Sequence, residues 1–180
     1  MPRYSLGLDY GTSSVRGLLV DVRDGAEVAA SVFPYPHGVD GVLLDSRDAH
    51  VARQHPQDYL DGAEAVIAGV LESAKAVPGF DAGQVVGIGV DTTGSTPMPV
   101  NADGVPLALL PEFSGNLAAM VYLWKDHTAH AEAARITELA AERRPEYLAK
   151  CGGTYSAEWF WAKIFRCLHA DPDVFAAAHT

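Results

Sequence analysis

The fold of this chain is decided by residues 6–20, LGLDYGTSSVRGLLV. The pattern predicts an apolar strand, a tight turn and a second apolar strand that returns antiparallel. Asp9 falls at the end of the first strand, and Gly11 lets the backbone of the turn come close to a ligand. The turn then offers hydroxyl and backbone N–H donors to an anion, and Arg16 adds a cation. The hydroxyl residues are Thr12, Ser13 and Ser14.

Two interpretations of this stretch remain open from the residues alone. A carboxylate beside a phosphate-sized nest of donors suits a divalent cation, since hard cations prefer oxygen ligands. The same residues also suit a plain β-hairpin in which Asp9 and Gly11 only form the turn. A dinucleotide-binding fingerprint is absent, because the Gly-Ile-Gly run at 87–89 has Thr92 where the third glycine belongs.

The composition predicts one soluble globular domain without a nucleic-acid or membrane partner. The chain has 180 residues, of which 48% are apolar and 20% are charged. Lys and Arg total 13 against 23 Asp and Glu, which gives a formal net charge of −10. Nucleic acids and anionic membranes are bound by basic surfaces, so both are disfavoured as partners. An anionic ligand must therefore be held locally, by backbone donors or a single arginine.

Cysteine usage and the N-terminus predict a cytoplasmic protein. Cys151 and Cys167 are too far apart for a metal knuckle or a redox pair, so we expect reduced thiols. Residues 1–3 lead directly into a predicted strand without a secretory signal, and no apolar run has membrane-spanning length.

Hydrophobic periodicity predicts a mixed α/β or α+β fold. Strands are predicted at 4–10, 14–22, 26–33, 85–91 and 96–100, and helices from Pro56 to the break at 78–79, at 128–143 and at 155–168. Residues 34–55 contain several prolines and glycines and are predicted to form a long surface loop. Residues 85–91 are apolar on both faces, which predicts a buried central strand.

Asp91 ends its strand as Asp9 ends the first one. If these strands are parallel neighbours, both following turns open at the same sheet edge, where open α/β sheets bind ligands. The alternative is that Asp91 only caps its own turn. His127 and His130 lack an evident third metal ligand, so a solvated or capping role is favoured for them. The aromatic residues of 155–168 are interpreted as core.

Four segments together resemble the FGGY carbohydrate kinases, and among these the ribulokinases. They are residues 7–16 (GLDYGTSSVR), 87–96 (GIGVDTTGST), 123–128 (LWKDHT) and 152–163 (GGTYSAEWFWAK). The first segment is shared across actin-like ATPases, whereas the combination of the other three is more specific. The resemblance extends from Tyr4 to about Leu168.

The resemblance implies that residues 1–180 form an N-terminal, sugar-binding domain of the actin-like (ribonuclease H-like) fold. Such a domain is α/β, with a mixed sheet that contains a three-strand antiparallel meander flanked by helices. A second actin-like domain, which has most of the nucleotide site, is expected to be absent from this chain.

The implied activity is phosphorylation of L-ribulose, or a related ketopentose, at the terminal hydroxyl with ATP and Mg²⁺, in arabinose catabolism. By similarity, Asp9 holds the Mg²⁺ environment, directly or through water. The residues implied to face the γ-phosphate are Gly11, Thr12, Ser13 and Arg16. Those implied to bind the sugar are Gly94, Ser95, Trp124 and Asp126, and the small Gly94 is consistent with room for a pentulose. The family's base is an aspartate of the second domain, so no catalytic residue is expected here.

Two other functions are weighed against this one. A non-catalytic module of the same fold could bind a sugar or a partner ATPase without turnover. A chaperone-type actin-like ATPase is disfavoured, because the segments around Trp124 and Trp159 match sugar kinases. If the chain ends at Thr180, we expect an exposed apolar face on the last helices and self-association into a homo-oligomer.

Overall fold

The structure is a computed structural model, and it describes residues 3–180. The strands are β1 (Tyr4–Tyr10), β2 (Ser14–Asp21), β3 (Glu27–Pro34), β4 (Leu43–Asp45), β5 (Asp48–Gln54), β6 (Val85–Thr92) and β7 (Val121–Tyr122). The helices are α1 (Pro56–Ala74), α2 (His130–Arg143), α3 (Pro145–Lys150), α4 (Phe160–Ala170) and α5 (Pro172–Ala177). None of the helices in residues 3–180 combines the length and the hydropathy needed to cross a bilayer.

The chain divides into two compact units. Unit 1 contains the chain up to Gly41 and the segment Gln57–Thr93, and unit 2 contains Val42–Pro56 and Gly94–Thr180. Each unit has its own sheet, with strand order β3-β2-β1-β6 in unit 1 and β4-β5-β7 in unit 2.

The sheet of unit 1 confirms the predicted meander. β1 pairs antiparallel with β2, and β2 pairs antiparallel with β3. β6 adds to the other side of β1 in parallel, which makes the sheet mixed as expected for an α/β fold. The condition stated for these two strands therefore holds: β1 and β6 are parallel neighbours, with Asp9 and Asp91 in register.

Helix α1 packs on one face of this sheet at close range. Pro56 begins the helix because a first helical position needs no N–H donor. A side chain at Gly17 would lie 3.1 Å from Val70 of the helix, so the glycine permits this approach. The buried residues of the resulting core are Tyr4, Leu6, Leu8, Val15, Leu19, Tyr35, Val66, Val70 and Ala74.

The prediction of a buried central strand at 85–91 is wrong for the described residues. β6 is the edge strand of its sheet, and Ile88 and Val90 are 60% and 61% exposed. They pair with Leu6 and Leu8 of β1, which are buried in the core under α1. The apolar row of the sheet thus continues onto β6 without cover, which is why its sequence looks like that of an interior strand.

Unit 2 corrects three further predictions. The predicted loop at 34–55 contains β4 and β5, and β5 pairs antiparallel with β7 through Arg53 and Gln54. The buried positions of β5 include the polar residues Arg53 and Gln54, so this strand lacks the alternation of apolar and polar residues that identifies a strand from sequence. The predicted strand at 96–100 is not formed, and Val100 makes only an isolated bridge to Pro106. Helix α4 begins at Phe160 rather than Tyr155, because the backbone is still extended at Trp159.

Candidate functional site

The turn between β1 and β2 is held by backbone hydrogen bonds. The N–H of Gly11 donates to the carbonyl of Ser14 at 2.9 Å, and the N–H of Tyr35 donates to the carbonyl of Ser13 at 3.0 Å. A side chain at Gly11 would place its Cβ 3.3 Å from the Ser14 oxygen, so the turn is too tight for one without local movement. Thr12 and Ser13 lie at the tip of this ordered turn.

Asp9, Arg16 and Asp91 lie on the face of the sheet that is opposite α1. Asp9 pairs with Arg16 on β2 and with Asp91 on β6. Its neighbours Leu8 and Tyr10 contact the α1 side, and side chains alternate between faces along a strand. The structure therefore brings the predicted metal residue Asp9 and the predicted phosphate residue Arg16 together.

The Asp9–Arg16 pair is open to solvent and loose. Asp9 Oδ2 and Arg16 Nη1 are 3.9 Å apart, and the two side chains are 53% and 64% exposed. An exposed pair of this kind contributes at most about 1 kcal/mol to folding. Both groups can therefore turn toward an external ligand at little cost in stability.

Asp91 makes one local contact and lies beside a second carboxylate. Its Oδ1 accepts the N–H of Thr92, the next residue and the last of β6, at 3.0 Å. Its strand position also puts it beside Asp9. Two neighbouring carboxylates supply the oxygen donors that Mg²⁺ prefers, so the donor set fits this cation.

In unit 2, the predicted sugar-binding residues Gly94 and Ser95 form a turn after β6. Ser95 has a left-handed backbone with φ of 51°, which a non-glycine residue rarely adopts. The hydroxyl of Thr96 donates to the Gly94 carbonyl at 3.1 Å and closes the turn. A Cβ placed at Gly94 would meet no atom within 4 Å, so this position borders open space.

Trp124 and Asp126 lie on a second loop of unit 2, directly after β7. The N–H of Asp126 donates to the Leu123 carbonyl at 2.9 Å, and the N–H of Leu123 donates to the Ala52 carbonyl at 3.1 Å. The Trp124 side chain is 42% exposed, which leaves much of its apolar surface available to a ligand.

The Asp126 carboxylate is fully buried and used within the protein. One oxygen accepts the N–H of Ala52 at 2.8 Å and lies 3.1 Å from Arg53 Nη1. The other accepts the N–H of Thr128 at 3.1 Å and its hydroxyl at 2.6 Å. These contacts tie the Trp124 loop to β5.

Arg53, the ion-pair partner of Asp126, was not identified from the sequence. The Arg53 side chain is buried, and its guanidinium lies 3.3 Å from the ring centroid of Tyr122. Burial lowers the pKa of Arg53, while Tyr122 and Asp126 favour its charged form. Nothing in the local sequence, Arg53-Gln54-His55-Pro56, indicates a buried cation.

Comparison with known proteins finds ribulokinases among the proteins that are similar to this chain. No protein-family model matches the chain. The ribulokinase of Shouchella clausii strain KSM-K16 is 44% identical over 182 residues, which cover 99% of this chain and 32% of that protein. The ribulokinase of Vibrio parahaemolyticus serotype O3:K6 is 49% identical over 162 residues, covering 89% of this chain and 28% of that protein. The chain thus spans about a third of the length of these curated relatives.

A solved structure agrees with the fold. A xylulose kinase from Brucella ovis matches with a TM-score of 0.72 at 21% identity, covering 99% of this chain and 32% of that one. At this identity the likeness concerns the fold, and it confirms the predicted actin-like α/β architecture.

Proposed function

We propose that this chain, which is similar to ribulokinases over nearly its whole length, is the sugar-binding and phosphate-facing part of an FGGY carbohydrate kinase. The reaction would transfer the γ-phosphoryl group of ATP to the terminal hydroxyl of L-ribulose or a related ketopentose. The main support is 44% identity that extends over 99% of the chain. A cytoplasmic location is part of the proposal.

The phosphate-facing part is assigned to the β1–β2 turn and its flanks. Phosphoryl transfer depends on positioning and charge stabilisation more than on covalent chemistry by the protein. Gly11, Thr12 and Ser13 would offer donors to the γ-phosphate, and Arg16 would add a positive charge. Asp9 would hold Mg²⁺, directly or through water, and the bound ion would neutralise charge on the phosphates. The exposed, loose Asp9–Arg16 pair supports this assignment, since both groups can reorient toward a ligand.

The sugar-binding part is assigned to the two loops of unit 2. The open space at Gly94 leaves room for a polyol, and the half-exposed ring of Trp124 offers an apolar surface to its C–H groups. Ser95 would contribute polar contacts from the same turn as Gly94. Asp126 would act through the loop, because four protein groups already surround its carboxylate.

The proposal assigns no catalytic base to residues 3–180. In the implied mechanism, an aspartate outside this chain takes the proton of the sugar hydroxyl. The matched relatives are about three times as long as the chain, which leaves room for that residue.

The proposal is tested by measuring sugar binding and ADP release on the same preparations. L-ribulose binding is measured by isothermal titration calorimetry, and ADP release is measured with MgATP in the presence and absence of L-ribulose. The proteins are the chain itself, Asp9→Asn, and Asp24→Asn as a control carboxylate in the β2–β3 turn of the same unit. We expect all three to bind L-ribulose and none to show ribulose-stimulated ADP release.

Two results would contradict the proposal at different points. A folded chain that binds neither L-ribulose nor another ketopentose would rule out the sugar-binding assignment. Ribulose-stimulated turnover that disappears in Asp9→Asn but persists in Asp24→Asn would show that the base lies within this chain or a second copy of it.

A further inference from the structure

Lys163 of helix α4 is buried, with only 1% of its surface exposed. Its ammonium group donates to three backbone carbonyls rather than forming an ion pair at close range. The acceptors are the oxygens of Ser95 at 2.7 Å, Leu123 at 2.7 Å and Trp124 at 3.3 Å. Lysine is rarely buried to this extent, because the charged amine loses its hydration.

The three carbonyls belong to the two loops that contain the predicted sugar-binding residues. Ser95 lies in the left-handed turn that follows β6, next to Gly94. Leu123 and Trp124 lie on the loop that follows β7 and leads to Asp126. A single amine thus bonds to both loops, which are separated by 68 and 40 residues from Lys163 in the sequence.

We infer that Lys163 is a positioning residue for sugar binding, because its ammonium group joins the Ser95 turn to the Trp124 loop and fixes their spacing. This inference rests on the proposed function, in which both loops contact the sugar. An apolar side chain of similar volume would fill the same space without the cost of burying a charge. That side chain would, however, leave the three carbonyl oxygens without their ammonium donor, so what the amine specifically contributes is defined loop geometry.

The pKa of Lys163 is lowered to about 8, mainly by burial and to a lesser extent by the nearby Arg53, against the opposing effects of Asp126 and Glu158. The amine is therefore mainly protonated at neutral pH, with three N–H donors for its three carbonyl acceptors. A neutral amine would have only two.

The inference is tested with Lys163→Met, which preserves volume and removes all three donors. L-ribulose binding is measured by calorimetry on the chain and on the variant. Val174→Ala is the matched control, since Val174 is a buried residue of unit 2 that packs in a different cluster from these loops. We expect Lys163→Met to bind L-ribulose at least about tenfold more weakly. Val174→Ala should bind within about twofold of the unchanged chain even where its melting temperature falls further.

Amide hydrogen exchange provides a second readout that does not depend on the sugar. Lys163→Met should accelerate exchange at residues 94–96 and 123–126, whereas Val174→Ala should accelerate it elsewhere in unit 2. Lys163→Gln, which keeps two N–H donors, should lie between the unchanged chain and Lys163→Met and serves if the methionine variant does not fold.

The outcomes separate this inference from the proposed function. Unchanged exchange in both loops, or unchanged L-ribulose affinity in Lys163→Met, would overturn the positioning role while the proposed function stands. Absence of ketopentose binding by the folded, unchanged chain would overturn the proposed function, and the positioning role in sugar binding with it.

Discussion

Asp9 and Asp91 are paired residues on neighbouring parallel strands, so their carboxylates leave the same face of the sheet at the same level. Each lies one residue before the end of its strand, and both strands are followed by a turn with hydroxyl side chains. This pairing concentrates negative charge at one edge of unit 1, where only Arg16 is within 4 Å of Asp9 as an ion-pair partner among the described residues.

The first prediction concerns cation binding by this pair. Asp91→Asn should weaken binding of Mn²⁺, used as a probe for Mg²⁺, by about tenfold, because one of two adjacent charges is lost. The amide oxygen of asparagine can still accept the N–H of Thr92, so the turn should persist. Binding is measured by water-proton relaxation. Asp24→Asn is the control, and equal Mn²⁺ affinity in both variants would exclude Asp91 from the cation site.

The second prediction concerns the open space at Gly94. Gly94→Leu should leave the melting temperature within a few degrees of the original, since a Cβ at this position meets no atom within 4 Å. The same substitution should abolish measurable L-ribulose binding by filling the space assigned to the sugar. Gly87→Leu is the control, because a Cβ at Gly87 also meets no atom within 4 Å. Gly104 is unsuitable, because its φ of 76° strains any residue with a side chain. Retained binding in Gly94→Leu would place the sugar elsewhere.

The third prediction concerns the buried pair of Arg53 and Asp126. Asp126→Asn should destabilise the chain by roughly 3–5 kcal/mol, because it leaves the buried guanidinium without its countercharge. The double variant Arg53→Met/Asp126→Asn should lose less than the sum of the two single changes. Urea unfolding of the four proteins gives the coupling free energy. Strict additivity would show that the two charges do not stabilise each other.

The fourth prediction concerns pH. The pKa of Lys163 is about 8 in the folded chain and 10.5 when unperturbed, mainly because of burial. Between these values the unfolded chain binds more protons than the folded one, so stability should rise as pH rises from about 8 to 10.5. Below pH 8 both states are protonated and this dependence should vanish. The rise should be absent from Lys163→Met, and the difference between the two urea-unfolding profiles isolates this group. Parallel profiles would contradict the prediction.

The fifth prediction concerns the uncovered row on β6. Ile88 and Val90 continue the apolar row of Leu6 and Leu8 beyond the cover of α1, and exposed apolar patches promote association. Ile88→Thr/Val90→Thr should weaken self-association by roughly tenfold, as judged by light scattering over a concentration series. Val32→Thr, a similarly exposed valine on β3, is the control.

The sequence had also pointed to the last helices as an associating face. Phe160, Trp161 and Phe175 of those helices are indeed partly exposed. If Phe175→Ser weakens association while the β6 variant does not, that face rather than β6 is the contact.

Local patterns in the sequence were enough to predict the main strands and the helix of unit 1, but not the division of the chain into two units. The meander, α1 and the pairing of Asp9 with Asp91 follow from apolar alternation, a proline at a helix start and two similar strand endings. The exposure of Ile88 and Val90 could not be predicted, because a strand's own sequence does not say what covers it. An apolar strand of this kind fits an interior position in a sheet and an uncovered edge position equally well.

Unit 2 was harder to predict because its key interactions are polar and distant in sequence. Arg53 is a strand residue whose partner Asp126 lies on another loop, and neither local pattern indicates a buried ion pair. Lys163 gave only a weak signal, because the mainly apolar run 157–168 contains a second cation, Arg166, and because the three acceptors of Lys163 are carbonyls that have no side-chain signature.

The division of the chain between the units has a consequence for synthesis on the ribosome. Unit 1 is complete once Thr93 has been made, but β4 and β5 belong to unit 2 and precede most of it. The N–H of Ala52 can donate to Asp126 only after 74 further residues have been made, and β5 can pair only after β7 has been made. Because chains fold from the N-terminus as they emerge, the β4–β5 hairpin lacks its partners in unit 2 until they have been synthesised. That interval is when a nascent chain of this kind is open to chaperones and proteases.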